Sequence, residues 1–502
     1  MKKLWKRTFE LLHFTSQCAI LFLTTLPKGA SAVEKLTDKR NNSFRDLTVS
    51  EFKRYMSQGL GRCALCLEGC ADIEKYRDTV LYGCIHNLSY DLQCEGTRAA
   101  YVYSLTRYFD SPEYFLAPII DEFLTLDDTR DADFKHLADM LECFTRDGSK
   151  AAQIALDQKY YILLNELKNN TDTEGYDFNR DNFEHLCVIK LQLYGCGVKT
   201  VCNIADNVGE LYAANNKYDV WDFGWLYYRI FSVGKERMHA MLEKQAAKSE
   251  NIRLFYEKYL ESEREESERA GQDIPAIGVD ELKAEMLDSP EIPIGYKFRF
   301  SKRATDGENA RLTDAIITED DPEKKSELLS VLLHKSGTVA FPHDTLIEYA
   351  ESENSDLSLT ALAVMAKCRS DKLYNYALDL LNDGKFKIEA IEILLANYTP
   401  DIKDLLLNEL YSLEVDYDES TDWHSIGMKI LSVKEMGVKL PKEFFLYVYE
   451  TTLCSSCRGY VLDEMKRRRL ITRDLIEECR YDTNSDISKY ANRYYPRKEG
   501  VK

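Results

Sequence analysis

The chain has 502 residues, 44% of them hydrophobic, with only 11 Pro and 23 Gly. That composition excludes a wholly disordered chain and leaves long helical stretches uninterrupted. The formal net charge of −19 sets the surface against phosphate backbones and so against a nucleic-acid partner.

At the amino terminus Lys2, Lys3, Lys6 and Arg7 precede a short apolar run from Cys18 to Leu26 and the triplet Ala30-Ser31-Ala32. This is the outline of a cleavable export signal. Glu10, His13, Thr24 and Thr25 interrupt it, and the apolar run is too short to span a bilayer. The expectation is a cytoplasmic protein with a poorly ordered extension over residues 1–46 and no integral membrane span. Export, with residues 1–32 removed, is the alternative. The 14 cysteines fall largely on apolar helical stripes and read as small buried residues of a reducing compartment.

From 47 to 235 the pattern is helix, short turn, helix. Thr48 or Ser50 caps the first helix, with Glu51 at its positive end. Apolar residues then recur at spacings of three and four, as at Leu137, Met140, Leu141 and Phe144. Breaks fall at Asp110-Ser111-Pro112, Arg146-Asp147-Gly148 and residues 169–181. Two segments align at a spacing of 49: Asp133-Phe134-Lys135-His136-Leu137-Ala138 and Asn182-Phe183-Glu184-His185-Leu186-Cys187. Each reads as a capping residue, an apolar residue against the neighbouring helix, and a small residue permitting close approach. His136 and His185 occupy equivalent positions and so read as structural. Asp177-x-Asn179-x-Asp181 begins like a calcium loop, but Asn182 and Val188 stand where Gly and Glu are required; a polar turn is expected. Gly195-Cys196-Gly197-Val198-Lys199-Thr200 lacks the Gly before Lys of a phosphate loop, and Gly195 reads as a helix stop.

The array ends in an aromatic run. Tyr218, Trp221, Phe223, Trp225 and Tyr228 are the candidate partner-binding residues, because aromatic-rich patches mark protein interfaces. The competing reading is a helix whose aromatics close the first array.

Residues 236–325 are expected to form a charged connector. Glu257 to Arg269 is almost all charge, and Gly271, Pro275, Gly278, Pro290 and Pro293 follow. Tyr296-Lys297-Phe298-Arg299-Phe300 alternates as a strand would.

From 326 to 495 short helices return in pairs about 30 residues apart, before a tail at 496–502. The cap, apolar and small positions recur at Asp356, Leu357 and Ala361, and at Asp486, Ile487 and Ala491. Lys466 to Arg469 ends a helix, where cations suit the dipole. This stretch resembles bacterial HEAT-type repeat proteins, with Ser358 and Ser488 where those repeats carry Arg. The resemblance implies an all-α chain, an α-solenoid of two helical arrays joined by the connector.

Two cysteine pairs have the spacing of metal or redox pairs. Cys63 and Cys66 have Cys70 and Cys84 nearby in sequence; Cys454 and Cys457 have Cys479 as the further donor. Both pairs are expected to be packing residues, with no metal or cofactor. No nucleophile or metalloprotease motif occurs. The expected function is a non-catalytic scaffold or adaptor for a protein or peptide. The alternative is an enzyme or nucleic-acid modifier on a repeat scaffold, as in HEAT-like DNA glycosylases.

Overall fold

The computed structural model describes residues 44, 46–126, 130–169, 178–214, 217–270, 277–288, 294–413 and 421–494, with the side chains of 266–270, 285–288, 294 and 421–423 excepted. Every regular element among them is helical. The export-like segment 1–32, Cys18, Asp177 and the tail lie outside the described residues. No described helix is long and apolar enough to cross a membrane.

Two hydrophobic cores organise the chain. The first runs from Phe44 to Tyr259. The second runs from Ile277 to Ala491 and takes in Leu60 from near the chain's start. In the second, the helices Pro322–Ser330, Ser355–Met365, Lys387–Ala396, Thr421–Ser432, Ser455–Arg467 and Ser485–Tyr494 pack each on the next. Their starts fall 33, 32, 34, 34 and 30 residues apart. In the first core Val198–Ala214 packs along Glu250–Ala270, and Gly209 lets the Asn251 backbone press against it.

The repeated motif owes its position to burial. Phe134, Phe183, Leu357 and Ile487 are buried, and Ala138, Cys187, Ala361 and Ala491 are fully excluded from solvent. The capping assignment is corrected. Asp133, Asp356 and Asp486 lie inside the first turns of their helices, and Asn182 is the fifth residue of its own. Asn354 caps the third helix by accepting from the Leu357 N–H, and Asn484 plays that part for the fourth through Asp486 and Ile487. Thr48 does cap, in a reciprocal arrangement with Glu51. Gly195 adopts φ +76° directly after Tyr194 ends its helix, the left-handed stop that glycine favours.

The span 236–325 is mostly helix. Lys235–Ala246 and Glu250–Ala270 give Met238, Leu242, Ile252 and Phe255 to the first core. Val279–Asp288, Ile294–Arg303 and Asp306–Thr318 give Leu282, Phe300 and Leu312 to the second. The strand expected at Tyr296–Phe300 is therefore helical. A five-residue alternation does not separate the two periods, and here side chains pair at helical spacing: Arg299 lies over the Tyr296 ring and Lys302 over Phe298.

The chain's first helices also meet its last. Thr483 N–H donates to the Gly59 carbonyl at 3.0 Å. Gln58 Nε2 donates to the Glu450 carbonyl at 2.9 Å. Arg98 Nη2 donates to the Leu453 carbonyl at 2.6 Å. The two lobes are thus joined covalently near residue 270 and again, without a covalent bond, where the ends of the chain touch. We call this second contact the seam.

Candidate functional site

The five aromatic residues singled out by sequence do not share one surface. Asp219 caps a short 3-10 turn, Val220–Phe223, that leads into the helix Gly224–Phe231. Phe223 is fully buried and Tyr218 nearly so; both point into the first core, where Phe223 meets Phe183, Tyr212 and Tyr218 edge-on. Trp221 is half-buried against that core. Trp225 and Tyr228 alone face outward, at 48% and 62% exposure. Their rings stand edge-to-face with centroids 6.3 Å apart. Arg229, exposed and four positions after Trp225, shares their side of the helix. Glu184 holds the start of that helix by accepting the Leu226 N–H at 2.9 Å.

The first cysteine group disperses. Cys63 Sγ donates to the Phe52 carbonyl at 3.4 Å, Cys66 Sγ to Tyr76 Oη at 3.3 Å and Cys70 Sγ to the Asp72 carbonyl at 3.2 Å. Cys84 is buried apart from them. His136 Nε2 lies 2.8 Å from the Gly83 carbonyl and His185 Nε2 2.8 Å from Asp139. Both histidines are tied into neighbouring helices, as their equivalent repeat positions suggest. Burial lowers His136 to about 4, whereas Asp139 outweighs burial and raises His185.

The second pair gathers. Cys454 is the N-cap of the helix Ser455–Arg467, and its Sγ accepts the Cys457 N–H at 3.5 Å. Both side chains are 2% exposed. Cys479, the further donor expected from sequence, lies elsewhere, with its Sγ 3.8 Å from Tyr449 Oη. The group that joins the pair is His424, on the preceding helix of the stack. Its Nδ1 lies 3.5 Å from Cys457 Sγ, and Met428 Sδ lies 3.8 Å from the same sulfur. The donor atoms of His424, Cys454 and Cys457 all fall within 4.8 Å of one another. Hydrogen bonding from Cys457, supplemented by His424 and the Cys457 N–H, outweighs burial and brings the Cys454 thiol down to about 5. Cys457, which shares its proton with Cys454, is pushed up, and so is His424, chiefly by its bond to Cys454.

This cluster sits on the seam. The Tyr90 ring stacks on His424, centroids 5.9 Å apart and 19° between planes. The Ser455 N–H donates to Glu95 Oε2 at 2.8 Å, and Ser456 Oγ to the Cys94 carbonyl at 3.2 Å. Glu95 is itself paired with the buried Arg98 at 3.2 Å. Sequence reasoning missed His424, although a signal existed. It lies 30 and 33 residues before the two cysteines, one repeat interval, and the stack places such residues side by side.

No family model matches this chain, and neither a curated protein nor a solved structure matches it.

Proposed function

We propose that the chain is a non-catalytic binding scaffold, an α-solenoid of HEAT-like helix pairs, whose partner docks on the exposed face of Gly224–Phe231. The observation that carries this reading is the Trp225–Tyr228 pair, two large exposed rings that meet edge-to-face on one helix. Aromatic anchors of this kind dominate binding energy at protein interfaces. The regular stacking of the second lobe supports the repeat reading, because such stacks present long lateral surfaces. The thirteen described cysteines are all free thiols, which suits a reducing, cytoplasmic setting.

The partner is an acidic peptide or protein segment with an apolar anchor. Screening over about 8 Å at physiological salt makes the charge nearest the contact count for more than the net charge. Arg229, exposed and next in sequence to Tyr228, is the cation on that side of the helix. The rings accept the anchor and Arg229 a flanking carboxylate.

The test is a panel of peptides, apolar-acidic and apolar-neutral, titrated against the full chain. Trp225→Ala with Tyr228→Ala is expected to weaken the apolar-acidic peptides about tenfold or more. Arg229→Glu is expected to weaken them in a salt-dependent way. Undiminished binding by the double variant, or no preference for acidic peptides, overturns the reading.

A further inference from the structure

We infer that His424, Cys454 and Cys457 bind one thiophilic d10 metal ion, Zn(II) or Cu(I), and that this ion fastens the seam between the two lobes.

The donor set is the first argument. Two thiol sulfurs and one imidazole nitrogen converge, which suits soft and borderline metals. Distance is the second. A tetrahedral zinc ion with Zn–S near 2.3 Å and Zn–N near 2.0 Å sets its sulfur and nitrogen ligands about 3.5 Å apart. The Cys457 Sγ to His424 Nδ1 separation is 3.5 Å. The two sulfurs need no helix distortion to reach a common ion, because Cys454 is the N-cap and Cys457 lies in the first turn. Burial is the third. Both thiols are 2% exposed, which suits a closed structural site better than exchange with a protein disulfide. Met428 Sδ, 3.8 Å from Cys457 Sγ, separates the two ions. A thioether is a ligand for Cu(I), whereas zinc sites complete themselves with thiolate, imidazole, carboxylate or water.

The location gives the ion its role. Ser455 and Ser456, the residues between the two cysteines, carry the hydrogen bonds to Glu95 and Cys94 of the other lobe. Fixing both cysteines fixes the backbone that makes those bonds. Tyr90 of the same lobe covers His424. A ligand that binds only the folded chain stabilises it by mass action, and here the gain falls on the contact between lobes.

The test uses the full chain purified under reducing conditions. Elemental analysis is expected to find one zinc or copper per chain, and a strong chelator is expected to remove it and lower Tm. Cobalt(II) added to the stripped protein is expected to give a thiolate-to-cobalt charge-transfer band and the visible intensity of a tetrahedral site. Cys454→Ser with Cys457→Ser should abolish both readouts, and Cys479→Ser should leave them intact. Met428→Leu is expected to weaken Cu(I) and to spare Zn(II). Absence of the cobalt band in the wild-type chain, which requires no variant to fold, overturns the proposal. So does a metal content equal to that of the double variant, or a Cys454–Cys457 disulfide whose reduction restores no metal uptake.

Discussion

Arg62 Nε and Glu478 Oε1 form an ion pair at 2.8 Å, 416 positions apart in the chain, with their side chains 5% and 0% exposed. The pair is one of the buried charged contacts of the seam; another is Arg458 Nη2, which donates to the Gly59 carbonyl at 3.3 Å. Arg62 also lies over the rings of Phe44 and Tyr55, which meet each other edge-on beside its guanidinium. A buried pair contributes modestly as a whole, because desolvation offsets attraction; removing one member strands the other. Arg62→Leu is therefore expected to cost roughly 3–5 kcal/mol. Arg62→Met combined with Glu478→Leu is expected to recover most of that loss. Urea unfolding at pH 7 measures both. A double variant as unstable as the single would show that the cost lies in packing and not in charge.

Two glycines permit backbone contacts that no other residue allows. A Cβ on Gly61 would run into the Glu478 carbonyl oxygen across the seam, and one on Gly209 into the Asn251 carbonyl oxygen inside the first lobe. Gly61 is the N-cap of Arg62–Gly69, whereas Gly209 lies inside a helix, where alanine normally stabilises relative to glycine by about 0.5–1 kcal/mol. Overpacking against a fixed backbone costs about 1–3 kcal/mol, so the clash wins. Gly209→Ala is expected to lower Tm, and Gly61→Ala to lower it while raising protease sensitivity near residues 59–61 and 478–483. A rise in Tm for either would show that its backbone contact is loose.

Much of this was legible in the chain, and unevenly so. The apolar and small positions of the repeated motif are set by burial on one helix face, which a 3.6-residue period reveals directly. The caps expected from sequence fall two or more residues late, because Asp favours the first turn almost as it favours the N-cap. Asp356 illustrates this beside the true cap, Asn354. Of the candidate sites, the exposed halves of the aromatic run and the cysteine spacing were visible. His424 was not read, since its relation to Cys454 exists only once neighbouring repeats stack. The seam had no signal at all: contacts between residues 58–98 and 450–483 obey no periodicity.

Glu184 ties the first core to the helix Gly224–Phe231 and carries a pH dependence. Burial is the main reason its carboxyl is raised to about 8; Asp181 adds to the rise, and the Leu226 N–H and Arg180 oppose it. The unfolded carboxyl titrates near 4.3. Between roughly pH 4.3 and 8 the native state therefore holds a proton that the unfolded state has lost, and this group's contribution to stability falls as pH rises. The limiting slope is about 1.4 kcal/mol per pH unit. Glu184→Gln keeps an oxygen for the Leu226 N–H and removes the titration. It is expected to flatten the stability profile from pH 5 to 8 and to be the more stable chain at pH 8. Parallel profiles for the two proteins would assign the slope to other groups.

The aromatic run divides into residues that build the fold and residues that face out, and substitution separates them. Phe223 is fully buried among Phe183, Tyr212 and Tyr218. Phe223→Ala is expected to cost about 3–5 kcal/mol, the transfer of the ring plus the cavity it leaves. Trp225→Ala and Tyr228→Ala remove side chains already about half in water, and each is expected to change stability by about 0.5 kcal/mol or less. Trp221, half-buried against the core, falls between. Thermal unfolding of the four single variants orders them as Phe223, Trp221, then the outer pair. If Trp225→Ala proved as costly as Phe223→Ala, the ring would belong to the core, and any loss of binding it caused would report unfolding. If the order holds, a binding loss at Trp225 and Tyr228 reads the contact itself.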